Sequence, residues 1–148
     1  MSDLLVYDKA KYHFEGDFPE GVSSDQAYVH IGMFLGWLCD HQLLSDQMLE
    51  DFADEIDQYR RRNISGARLL KLAGGTLASD MLNAKGNAFT QTYFEPEKGL
   101  YLGDYSEVLA KSLTSIYHTE DTWSNYERLS ARIDERYRQF LEKEGRQN

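Results

Sequence analysis

The chain has 148 residues, of which 41% are apolar, 28% charged and 13% aromatic, with two prolines and a formal net charge of −9. That balance predicts one globular domain with its own core and excludes a disordered or fibrous chain. The acidity argues against nucleic acid or an anionic membrane surface as partner, and the single cysteine, Cys39, excludes an intrachain disulfide.

Met1 to Phe18 contains no apolar leader, and no run reaches the roughly 18 apolar residues of a membrane span, so a cytoplasmic protein is expected. Residues 4 to 21 predict an extended aromatic arm. Tyr7, Tyr12, Phe14 and Phe18 are its anchors, and Gly16, Pro19 and Gly21 interrupt any helix. Ser23 and Gln26 then make a capping-box pattern, after which Ala27, Ile31, Phe34, Leu35 and Leu38 recur at helical spacing. This is the expected central helix. Gly32 and Gly36 lie on one of its faces and permit a close helix contact. Cys39 sits beside Trp37 and Leu38 and reads as a small buried hydrophobe. Asp40 ends the helix, where the dipole disfavours a carboxylate, so it is either held by a hydrogen-bond partner or exposed for binding.

A second helix is predicted over 45 to 62. Met48, Phe52, Ile56 and Tyr59 form its apolar stripe, and Asp46, Glu50, Asp51, Asp54, Glu55 and Asp57 its acidic face. Arg60, Arg61 and Arg62 close it. A third helix spans about 66 to 73, capped by Ser65 and ended by Gly74 and Gly75. Residues 76 to 87 are turn-rich, with one helical turn at 79 to 82. There Asp80, Asn83 and Asn87 serve either turn geometry or a functional loop.

Residues 88 to 102 are rich in aromatic and β-branched types, which predicts a hairpin turning at Glu95 to Gly99. Phe89 and Tyr93 are also one helical turn apart, which keeps a helix as the alternative. Asp104 and Glu107 predict the start of a short helix reaching about Lys111. The last helix runs from about Asp121, its cap, to Glu144, through Trp123, Tyr126, Leu129, Ile133, Tyr137 and Phe140. Gly145 to Asn148 are expected to fray. The expected class is mainly α (α+β): a single domain over 1 to 148, with a long C-terminal helix and a small β-hairpin near 88 to 102.

Chemical motifs are absent. No phosphate loop and no Gly-x-Ser-x-Gly elbow occurs. His13, His30, His41 and His118 are scattered along the chain, so neither zinc nor another cofactor is expected. His118 with Glu120 and Asp121 is the densest titratable cluster containing a histidine. It reads as a general base held by a carboxylate, or more plainly as the loop before a helix cap. His30 reads as a satisfied boundary histidine on the central helix.

Four segments taken together resemble a bacterial family of small domains of unknown function. They are Tyr7-Asp8-Lys9-Ala10-Lys11-Tyr12-His13 with Gly16-Asp17-Phe18-Pro19; Ala27-Tyr28-Val29-His30 with Gly32-Met33-Phe34-Leu35-Gly36-Trp37; Ser79-Asp80-Met81-Leu82-Asn83 with Gly86-Asn87-Ala88-Phe89; and Tyr117-His118 with Glu120-Asp121-Thr122-Trp123. The resemblance spans nearly the whole chain and implies no activity. In size, charge and lack of motifs the chain is also similar to immunity proteins, which neutralise a bacterial toxin by binding it.

The expectation is therefore a protein-binding module that occludes a toxin through an acidic surface made of Asp40, Glu50, Asp51, Asp54, Glu55 and Asp57. Its partner would be a basic toxin domain such as a nuclease, and no catalytic residue is assigned. The alternatives are an enzyme built from His118, Glu120 and His30, which must then converge, or an oligomeric structural or regulatory subunit.

Overall fold

A computed structural model describes residues 4–95 and 99–147. Part of the expected turn at Glu95 to Gly99, the first three residues and Asn148 lie outside the described residues. The domain is mainly helical, with a long C-terminal helix and a small two-stranded antiparallel sheet.

The centre is α2 (Val29–Asp40), in which every residue from Val29 to Cys39 is buried. A helix that is apolar all round must be covered on all sides. One cover is α5 (Gly66–Leu72), which approaches α2 where Gly32 meets Gly66 and Ala67. A methyl group on Gly32 would collide with the Ala67 backbone, so this approach requires glycine. Gly36 leaves the space that the Tyr59 hydroxyl fills from α4 (Ala53–Arg60). The expected close contact along the Gly32–Gly36 face is thus present, with a different neighbour at each glycine.

The helix expected over 45 to 62 is divided. α3 (Asp46–Asp51) and α4 meet at Phe52, whose φ of −122° and ψ of 34° leave the helical region. Phe52 is half-buried against the core, and the bend at that point lets Met48, Ile56 and Tyr59 all reach the interior. Ser45 caps α3 by accepting from Met48 N at 3.1 Å, as Ser65 caps α5 by accepting from Arg68 N at 3.2 Å.

The sheet is not where the sequence places it. β1 (Val6–Lys9) pairs with β2 (Thr76–Ala78), Val6 opposite Ala78 and Asp8 opposite Leu77. Tyr7 is therefore an extra residue, and a bulge of this kind re-aims the side chains beside it. All four residues of β1 are half-buried, so no in–out alternation marks it in the sequence. The five-residue helix α1 (Ala10–Phe14) follows directly, anchored by Ala10 N donating to Gly75 O at 3.0 Å.

In place of the first hairpin strand stands α6 (Ala84–Tyr93), capped by Asn83, whose side chain accepts from Gly86 N at 2.9 Å. The four-residue spacing of Phe89 and Tyr93 decides the outcome, because it puts both rings on the buried face of one helix. α7 (Tyr101–Tyr105) continues into a π-helical stretch, Ser106–Ala110. Asp104 is inside this helix and not at its start. Its carboxylate points into the interior toward α8 (Trp123–Gln147). The cap of α8 is Thr122, which accepts from Asn125 N at 3.1 Å, while Asp121 accepts the Ser65 hydroxyl at 2.6 Å. Cys39 is buried, as expected. Among the described residues no helix is long and apolar enough to cross a membrane.

Candidate functional site

The acidic residues expected to face a partner fall into two groups. Glu50, Asp51, Asp54 and Asp57 are exposed on α3 and α4, with Asp46 beside them, and Glu55 is half-buried. Asp57 pairs with Arg61 at 2.9 Å and Asp51 accepts from the Gln47 amide at 2.9 Å. Asp40 stands apart: its carboxylate is held by partners, and the residue is also exposed. Arg62 grips its carboxylate with two N–H donors, at 3.2 and 3.0 Å, and the Tyr126 hydroxyl donates at 2.5 Å. The Arg62 guanidinium in turn lies 4.4 Å from the Trp123 ring centre.

A second constellation was not expected. Asp8 at the end of the bulge, His13 on α1 and His30 on α2 bring one ligating atom each to within 4.8 Å of one another. The two Nε2 atoms converge on a single carboxylate oxygen, Asp8 Oδ2: His13 lies at 2.7 Å and His30 at 3.6 Å. The other oxygen, Oδ1, accepts from Lys9 N at 2.8 Å and so fixes the carboxylate. His13 Nδ1 is 2.6 Å from the Tyr117 hydroxyl. With neutral imidazole, His13 donates through Nε2 to Asp8 and accepts the Tyr117 proton at Nδ1.

Tyr117 is positioned by a helical turn at Ile116–His118. Ser115 caps that turn, and Gln26 pins it by donating to the carbonyls of Tyr117 and Thr119 at 2.9 and 2.8 Å. The His13 and His30 rings meet edge to face with centroids 4.5 Å apart.

His30 is only 1% exposed, and neither ring nitrogen has a hydrogen-bond partner among the described residues. Orphaned nitrogens at such depth are rare in proteins. The hydroxyls of Tyr105 and Thr119 are buried as well, without a well-formed hydrogen bond among the described residues, and the Tyr105 ring lies 6.0 Å from that of His30. Burial lowers the His30 pKa below its ordinary 6.5, against the pull of Asp8, and keeps the ring neutral. Burial acts to raise the Asp8 carboxyl, but the His13 bond and the proximity of His30 outweigh it and bring it down to about 2.

The cluster revises two sequence expectations. His30 is a core residue but not a satisfied one. The histidines are scattered in sequence, yet two of the four meet in space. His30 is not joined by His118 or Glu120, both of which are exposed. The His118 Nδ1 instead lies 2.8 Å from the Ser115 hydroxyl, and its neighbour Tyr117 is the residue that faces the cluster. Asn87, from the polar string, donates to the carbonyls of Ser79 and Leu82 at 2.9 and 3.2 Å and accepts the Tyr7 hydroxyl at 2.5 Å, so it is a structural clasp.

A model for a domain of unknown function (DUF7832) matches residues 6–119. The chain belongs to this family. The matched segment holds Asp8, His13, His30 and Tyr117 together with the acidic α3–α4 face, and ends before α8. No curated protein and no solved structure matches the chain.

Proposed function

We propose that this domain is a protein-binding module whose acidic α3–α4 face docks a basic partner, most concretely a bacterial toxin domain that it holds inactive by occlusion. The observation that carries the reading is the run Asp46, Glu50, Asp51 and Asp54. All four side chains are exposed, and among the described residues none has a cationic partner. No Lys or Arg interrupts residues 46 to 59. Unneutralised charge of one sign on a rigid face raises encounter rates and rejects partners of the same sign. A nuclease groove lined with Lys and Arg has the matching chemistry. Asp57 and Glu55 border the patch. Asp40 is set apart from the unpaired run, since Arg62 pairs with its carboxylate.

The test is association of the full chain with a toxin domain encoded next to it, measured at several salt concentrations. Charge reversal at Glu50, Asp51 and Asp54 together is expected to lower the association rate by about 10- to 100-fold and to flatten its salt dependence. An unchanged rate and salt slope would overturn the proposal.

A further inference from the structure

We propose that Asp8, His13 and His30 form a binding site for one divalent transition-metal ion of the zinc class. Two imidazole nitrogens and one carboxylate oxygen converge from three separate elements, β1, α1 and α2. This donor set suits zinc and its neighbours in the first transition row. It does not suit calcium or magnesium, which require a shell of oxygens.

The spacing is close to what such an ion needs. Metal–ligand bonds of about 2.0–2.1 Å at tetrahedral angles put neighbouring ligand atoms roughly 3.3–3.4 Å apart. His30 Nε2 and Asp8 Oδ2 are already 3.6 Å apart. The His13–Asp8 contact, at 2.7 Å, opens by about 0.6 Å, a small rotation of the His13 side chain. The edge-to-face angle of 89° between the two rings keeps them from overlapping when both Nε2 atoms point at one centre.

Two further observations favour an ion over a purely internal network. The first is the orphaned His30. Its Nδ1 has no partner among the described residues, and its Nε2 stops 3.6 Å from Asp8 Oδ2, longer than a formed hydrogen bond, where an apolar side chain would have filled the same space. A metal gives His30 Nε2 the bond it lacks. The second is Tyr117. A histidine that binds metal through Nε2 commonly gives its Nδ1–H to an outer partner that fixes the ring, and the Tyr117 hydroxyl is placed for that at 2.6 Å. Asp8 and His13 side chains are 16% and 18% exposed, which leaves a path for the ion from one side. Three protein ligands leave a fourth position for water or a substrate atom, the arrangement of a reactive rather than a purely structural zinc centre.

The experiment uses the untagged full chain, stripped with a chelator and titrated with Zn²⁺ by calorimetry and with Co²⁺ by visible absorption. One equivalent is expected to bind, with the visible bands of a four-coordinate nitrogen–oxygen site for Co²⁺. Asp8→Asn and His13→Gln, checked for native circular dichroism, are each expected to weaken Zn²⁺ binding by more than about 100-fold. Tyr117→Phe is expected to weaken it by about 10-fold, and His118→Ala, outside the cluster, to leave it unchanged. Absence of Zn²⁺ binding by the wild-type chain overturns the proposal. So does wild-type affinity in both the Asp8 and the His13 variants.

Discussion

Asp8 and Asp104 are both carboxylates taken from water into the same domain, and they are served by different chemistry. Asp104, with a side chain 4% exposed, receives two N–H donors from Arg136 at 2.9 and 3.0 Å, one from Arg132 at 2.9 Å and the Tyr93 hydroxyl at 2.7 Å. Every partner is a donor, and an arginine can neither give up its proton nor bind a metal. The Asp104 network is therefore closed, and its role is to fasten α7 to α8. Asp8 has imidazoles in place of guanidiniums. One of them, His30, has no formed hydrogen bond at either ring nitrogen among the described residues, its Nε2 standing 3.6 Å from Asp8 Oδ2. Imidazole can lose its proton and take a metal, so the Asp8 network is open. Burial of a carboxylate alone does not mark a site; the identity and the satisfaction of its partners do.

The largest test of this contrast removes the closed carboxylate. Asp104→Ala leaves Arg136 without its carboxylate and Arg132 with only the exposed Glu107, 3.1 Å away. It is expected to cost about 3 kcal/mol in urea unfolding, somewhat less than in a fully dry site because both arginines reach solvent. Zinc binding by a variant that still folds should be unaffected.

The same group sets an acid limb. Burial works to raise the Asp104 carboxyl, but the bonds from Arg136, Tyr93 and Arg132 prevail and hold it below its ordinary 3.8. The unfolded chain then takes up the proton first. Stability from Asp104 is complete above about 3.8 and is lost as the pH falls through the lower folded value. Asp104→Asn should flatten that part of the curve of stability against pH.

The open network should respond in the opposite sense. His30→Leu removes two ring nitrogens that form no close hydrogen bond among the described residues and puts an apolar side chain of similar volume in their place. Stability of the metal-free protein should stay unchanged or rise by about 1 kcal/mol, while metal binding is lost. A loss of several kcal/mol in the metal-free protein would instead make His30 a structural residue like Asp104. The smallest expected effect is on the acidic face. Glu50→Lys with Asp54→Lys should shift stability by no more than about 0.5 kcal/mol while slowing association with a basic partner.

Features that depend on neighbours in the chain were legible in the sequence. The cap Ser65 is a side chain bonding to the backbone three residues on, and the apolar residues of α2 recur at helical spacing. The Asp104–Glu107 pattern misled because Asp104 bonds to α8, far along the chain. Residues 88 to 94 misled because β-branched and aromatic residues favour a strand, whereas the burial of Phe89 and Tyr93 on one face and the Asn83 cap favour a helix. Of the acids read from the sequence as one face, Asp46, Glu50, Asp51, Asp54 and Asp57 are exposed and Glu55 is half-buried. The Asp8–His13–His30 cluster was not legible, because it depends on the Tyr7 bulge and on a pairing of β1 with β2 across some seventy residues. The available signal was only that Asp8 and His13 lie five apart beside an extended segment.

The most direct measurement is X-ray absorption at the zinc edge on the full chain loaded with one equivalent of Zn²⁺. Nearest neighbours of nitrogen and oxygen at about 2.0–2.1 Å, with the outer scattering of two imidazole rings, are the predicted result. A shell of oxygen alone, without imidazole scattering, would contradict the assignment of Asp8, His13 and His30 as the ligands.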